Sequence, residues 1–204
     1  MNGAPPPAPD TRIVLAGLGG QGVIFATRLI AQAAIRLGWP VVGTETHGMS
    51  QRGGSVLSHL KLSHTESPVI RRGTADVLLA FERDEAVRAL PFLRAGGVCV
   101  VNSEDGLGYD LDGDLAEASI VVHSLPATSM ALAHGSASLV NVIVIGFACG
   151  QGCLPLPEQA LRGALEDLAA ERRERNLKAF DAGMLAAGNV LQPSGQQIAG
   201  ARPG

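Results

Sequence analysis

Gly17-Leu18-Gly19-Gly20-Gln21-Gly22 carries Gly17, Gly19 and Gly22 in the G-x-G-x-x-G spacing. The turn follows an apolar run at 12–16 and opens a helical pattern at 23–37. Glycines at such a junction allow a tight bend and let an anion approach the backbone, while the free amides and positive end of the helix favour negative charge. Gly17, Gly19, Gly20, Gln21 and Gly22 are therefore candidates for holding a phosphate-bearing group. A second segment, 45–55, reads Glu-Thr-His-Gly-Met-Ser-Gln-Arg-Gly-Gly-Ser. Arg52 offers a planar fork for a carboxylate or phosphate, and Ser50 and Gln51 can orient a carbonyl. His47 can act as acid, base or hydrogen-bond donor. His47 and Arg52 are the catalytic candidates; Glu45, Ser50, Gln51, Gly53, Gly54 and Ser55 join the glycine turn as binding candidates.

Glu45 also stands where a dinucleotide-binding fold places its ribose-binding acid, so a stand-alone NAD-linked dehydrogenase is a rival reading. Two features oppose it. Gln21 is polar where such folds often carry a small or apolar residue, and the chain offers no separate catalytic domain. A ligand-free assembly module is a third reading, in which both glycine segments are only connectors. The other reactive side chains are scattered. His59, His64, His123 and His134 lack metal-ligand spacing, and no metal site is assigned. Cys149 and Cys153 have three residues between them and Cys99 lies in an apolar run, so three thiols are too few for a four-cysteine cluster. All three read as structural. Glu82, Arg83 and Asp84 end a strand beside the same cleft, with Asp84 suited to capping the next helix.

The elements that would position these residues follow from periodicity. Strands are expected at 12–16, 40–44, 75–81, 97–101 and 119–122, and an edge-like antiparallel strand at 56–62. A helix over 23–37 should close at Gly38. Strand, glycine turn, helix and strand make a βαβ unit. Another helix is expected from Asp84 to Leu93, and a loop over 102–115. The run 139–147 reads as a helix, although its Val-Ile-Val-Ile core also suits a strand. Pro157 should open a long helix striped by Leu161, Leu165 and Leu168, then by Leu177, Phe180 and Met184. Its charged run 171–175 should be a solvated face. The whole reads as α/β: a Rossmann-like, mostly parallel sheet flanked by helices in a single domain over 12–188. A flexible leader, 1–11, and tail, 189–204, flank it.

Composition narrows the function classes. The chain has 204 residues, and a formal net charge of −3 with only 3% aromatics argues against a nucleic-acid partner. The leader lacks the basic and apolar regions of a signal peptide, and no apolar run is long enough to span a bilayer. An odd number of cysteines suits a reducing compartment, and the cytoplasm is the expected location.

Taken together, the turn Gly17–Val23 and the segment Glu45–Ser55 resemble the γ-type domain of the 2-oxoacid:ferredoxin oxidoreductases. The His-Gly-Met-Ser-Gln-Arg-Gly-Gly form is most similar to the β subunits of the indolepyruvate branch. Supporting similarity lies in 76–82 and in Asn176-Leu177-x2-Phe180-x2-Gly183, and the likeness covers roughly 12–188. It implies a non-autonomous subunit of a thiamine-diphosphate enzyme that oxidatively decarboxylates a 2-oxoacid, indolepyruvate or another arylpyruvate, and releases an acyl-CoA. It further implies a larger α subunit bearing thiamine diphosphate and 4Fe-4S clusters, ferredoxin as acceptor reached through the complex, and coenzyme A as a ligand. The thiamine-binding Gly-Asp-Gly signature is missing from this chain, in keeping with that division.

Overall fold

The computed structural model describes residues 8–47, 53–64, 67–108 and 111–189, with the side chains of residues 46, 47 and 112 left out. Among the described residues six strands form one sheet: β1 (Thr11–Leu18), β2 (Val42–His47), β3 (Ser55–Leu62), β4 (Ala75–Ala80), β5 (Leu93–Asn102) and β6 (Val121–Leu125). Their order is β2-β3-β1-β4-β5-β6. β1, β4, β5 and β6 are parallel, while β3 runs antiparallel to both β1 and β2. The expected α/β sheet is present. One neighbour relation differs, because β3 is inserted between the two strands of the first βαβ unit. For the same reason β3 is not an edge strand. β2 covers its far side, and Ser58, His59, Leu60 and Leu62 are all buried.

Alternating strand residues divide the interior into two layers, as a period of two requires. Ile13, Leu15, Val77, Leu79 and Val100 face one core, and Val14, Ala16, Leu78, Ala80, Cys99 and Val101 the other. The first core is closed by α1 (Val23–Arg36), α4 (Ala127–Ala133), α5 (Val140–Gly150), α6 (Glu158–Glu166) and α7 (Ala170–Asn189). The second is closed by α2 (Arg83–Ala89) and α3 (Asp112–Glu117). Gly38 ends α1 as expected. At φ +74° its amide donates to the Ile35 carbonyl at 2.9 Å, and Trp39 N–H reaches Ala34 O at 3.1 Å, the paired bonds of a Schellman cap.

Several boundaries move for identifiable reasons. Glu82, in extended conformation, is the N-cap of α2; Asp84 lies inside its first turn, where its charge still favours the helix dipole. Pro91 has no amide to continue that helix, which ends at Ala89 and gives way to a 3-10 turn over Leu90–Phe92. β5 begins four residues before the expected 97 and reaches Asn102, and α3 occupies part of the expected loop. Ser119, expected to open β6, instead turns at φ +53°. α4 escaped the periodicity reading because its buried face is only Ala127 and Ala131. The run at 139–147 is helical, not a strand, and buried on all sides. Pro157 is the N-cap of α6, and the long helix is broken at 167–169, where the Ala169 carbonyl accepts from Arg172 N–H and Arg173 N–H.

Candidate functional site

The glycine turn leaves the carboxyl end of β1 and lies beside the carboxyl ends of β4 and β5, where an open α/β sheet gathers its loops. Gly20 and Gly22 have φ of +100° and +78°, a region that side chains disfavour. Gly22 is also the N-cap of α1, and a Cβ there would lie 2.1 Å from Asn141 Nδ2. Gln21 folds back on the turn. Its Oε1 accepts from Leu18 N–H at 2.7 Å, and its Nε2 lies 3.5 Å from Glu82 Oε2. The Gln21 side chain thus braces the loop between β1 and α2.

The two glycine segments meet. Gly19 N–H donates to the Gly54 carbonyl at 2.8 Å, continuing the pairing of Leu18 with Ser55. Ser55 Oγ donates to the buried Glu85 carboxylate, which also takes Arg88. The outgoing stem of the second segment is therefore fixed both to the turn and to α2. Its incoming stem is β2, whose last residue, His47, pairs through its backbone with Val56. Between the stems, Ser50, Gln51 and Arg52 lie outside the described residues, as does the side chain of His47.

Glu45 stands apart. It is half-buried on β2 and lines an open groove with Thr27, Arg28 and Thr44. With β3 intervening, β2 is two strand positions from β1, about 10 Å at ordinary interstrand spacing. A dinucleotide fold sets those two strands side by side so that the acid reaches the ribose beside the glycine turn. This sheet order does not reproduce that geometry, and the NAD reading loses its main support.

On its other side the turn opens on a cavity of about 360 Å³, lined in part by Gly20, Gly22, Asn141, Arg172, Arg175 and Asn176. Asn141 is only 3% exposed. Its Nδ2 donates to the Gln21 carbonyl at 2.9 Å, and its Oδ1 has no donor among the described residues. Gly22 has no side chain with which to cap α1, and the first turn of the helix holds no acidic residue. The amides of that turn have no intrahelical acceptor. Arg172 and Arg175 belong to the run expected to be a solvated face. They are exposed, as expected, but border the same cavity as the turn. The signal for Asn141 was present in the sequence as the polar residue within an apolar helix.

The remaining reactive groups are absorbed by the fold. Burial pushes the Cys99 thiol up to about 12 and that of Cys153 up to about 11, and raises Cys149 as well. His59 is buried, accepts from Ile70 N–H through Nδ1 at 3.2 Å and meets the Phe92 ring edge-on. Glu82 contacts Gln21, whereas Arg83 lies next to Asp84 at 3.6 Å. No helix among the described residues is long and apolar enough to cross a membrane.

A family model described as pyruvate ferredoxin/flavodoxin oxidoreductase matches residues 12–186. The indolepyruvate oxidoreductase subunit IorB of Archaeoglobus fulgidus is 34% identical over 185 residues, 84% of this chain and 92% of that relative. The gamma subunit of a keto/oxoacid ferredoxin oxidoreductase from Geobacter sulfurreducens has the same fold at a TM-score of 0.65 and 26% identity, over 87% of this chain and 98% of that one. A 2-oxoglutarate:ferredoxin oxidoreductase from Magnetococcus marinus, solved with 2-oxoglutarate, coenzyme A and succinyl-CoA bound, shares the fold at a TM-score of 0.73 and 24% identity. That match covers 90% of this chain and 32% of the other.

Proposed function

The chain belongs to the pyruvate ferredoxin/flavodoxin oxidoreductase family, and from that premise we propose that it is the small subunit of a complex oxidising an arylpyruvate, with indolepyruvate the first candidate. The reaction converts the 2-oxoacid to carbon dioxide and an acyl-CoA while two electrons pass to ferredoxin. Thiamine diphosphate and 4Fe-4S clusters supply the carbanion chemistry and the electron path, and a larger partner subunit holds both. The residues of this chain do not fit a cluster: its three thiols are kept protonated by burial and are too few. Unpaired cysteines suit a cytoplasmic complex.

The residues here do suit a coenzyme. In this reading the turn from Gly17 to Gly22 receives a phosphate of coenzyme A, drawn by the uncapped end of α1. The Glu45–Ser55 segment faces the shared active site or the partner, with Arg52 pairing a carboxylate or phosphate and His47 a hydrogen-bonding or proton-transferring neighbour. Ser50 and Gln51 orient the substrate carbonyl. The observation that supports this reading is the direct bond from Gly19 to Gly54, which joins both segments at one end of the sheet.

Arg52→Ala in the assembled complex tests it. Losing a charged hydrogen bond costs about 1.5–3 kcal/mol, so KM for the 2-oxoacid or for coenzyme A should rise about tenfold or more. Normal assembly with both KM values unchanged contradicts the assignment. Failure to assemble would give the segment to the subunit interface instead.

A further inference from the structure

The amides that lead into the glycine turn are already taken. Leu18 N–H goes to Gln21 Oε1 and Gly19 N–H to the Gly54 carbonyl, and each acceptor is tied to a carboxylate at the start of α2. Gln21 Nε2 lies 3.5 Å from Glu82 Oε2, and Ser55, the neighbour of Gly54, gives its hydroxyl proton to Glu85 Oε2. Glu82 is the N-cap of α2 and Glu85 stands three residues further on, so the two carboxylates share one face of that helix.

Glu85 is the firmer of the two holds. At 2% exposure it is too buried to touch a ligand at the rim. Ionised, it offers acceptors alone, and a buried charge left short of donors is costly. Its donors are Ser55 Oγ–H and the guanidinium of Arg88, whose side chain is 68% exposed. A hydroxyl carries a single proton, so this bond locks the direction of the Ser55 side chain. Ser55 is thereby fixed from α2 as well as by its backbone pairing with Leu18. Gly53 and Gly54 have no side chains that could do the same.

We propose that Glu85 is a positioning residue for the glycine turn: through Ser55 it sets the Gly54 carbonyl against Gly19 N–H, and so aims the remaining amides of the turn at the anion they receive. The inference rests on reading that turn as a coenzyme cradle, and adds a residue outside the cradle that governs its geometry.

The test is a double-mutant cycle in the complex assembled with its partner subunit, read as KM for coenzyme A. Glu85→Gln and Ser55→Ala should each raise that KM about fivefold with kcat changed less, an effect smaller than the loss of a charged hydrogen bond to the ligand itself. The double variant should be no worse than the worse single one, because both changes cut the same link. Ser55→Thr, which keeps the hydroxyl, should restore the wild-type value. Additive effects overturn the inference, as does a Glu85→Gln complex that assembles and keeps the wild-type KM. Gly20→Ala, which adds a side chain at φ +100° with nothing within 4 Å of it, is the reference for a disturbed turn. If it raises KM while Glu85→Gln does not, only the role of Glu85 falls; if neither changes KM, the coenzyme reading of the turn falls with it. Should Glu85→Gln fail to assemble, Ser55→Ala decides: an unchanged KM overturns the inference, and a raised KM that Ser55→Thr repairs upholds it.

Discussion

An imidazole packed under a sheet has to give up either its charge or its burial, and His59 gives up the charge. Its pKa is lowered from 6.5, first by burial and then by the nearby Lys61 ammonium, and its Nδ1 is held as an acceptor by Ile70 N–H. An unfolded chain protonates this group at about 6.5, so below that pH the unfolded state binds more protons than the native one. The contribution of His59 is therefore complete above about pH 6.5 and is lost as pH falls through the lower folded value. Melting temperatures measured from pH 7.5 to 5.5 should drop in the wild type and drop less steeply in His59→Gln; equal slopes would contradict the assignment. At this scale the sequence was uneven in what it disclosed. The glycine turn was legible because positive φ and close approach admit few other residues. Arg172 and Arg175 were not, since charge on a helix face says nothing of what lies across from it.

Where α5 and α7 cross, backbone rather than side chain sets the distance. A Cβ at Gly146 would sit 2.3 Å from the Phe180 carbonyl oxygen, and one at Gly183 would sit 2.1 Å from that of Ile143. One turn further on, a Cβ at Gly150 would sit 2.6 Å from the Ala187 methyl group. This crossing carries Asn141 and the α7 arginines to the turn, so it is where packing becomes site geometry. Gly183→Ala should force the helices apart and cost about 1–3 kcal/mol or more, because the obstructing atoms are backbone and cannot change rotamer. A denaturant midpoint unchanged from wild type would show that the crossing tolerates a methyl group. The apolar run that became α5 was visible, but its five β-branched residues left strand and helix equally open until packing against α7 decided it. The break between α6 and α7 was hidden because the leucine stripe continues across it, and the antiparallel insertion of β3 was hidden because alternation fixes faces and not neighbours.

At the scale of the molecule, the parallel strands deliver their carboxyl ends to one rim, and the two glycine segments are joined there by a backbone hydrogen bond. On the α1 side of the rim the first helical turn holds no acidic residue, while Cys99 is buried, Cys149 and Cys153 are half-buried, and burial raises the pKa of all three thiols. These features support the proposed reading, in which this chain holds and positions while another carries electrons. Residues 48–52 belong to the most informative stretch of sequence and lie outside the described residues, while the stems that flank them, His47 and Ser55, end at that rim. The most direct measurement is reconstitution: reduction of ferredoxin by indolepyruvate and coenzyme A, assayed with this chain alone, with the larger subunit alone and with both. The account requires turnover only when both are present, with a colourless and inactive small chain. Coenzyme-A-dependent oxidation by this chain alone, or a larger subunit whose rate and KM for coenzyme A are indifferent to its addition, would contradict it.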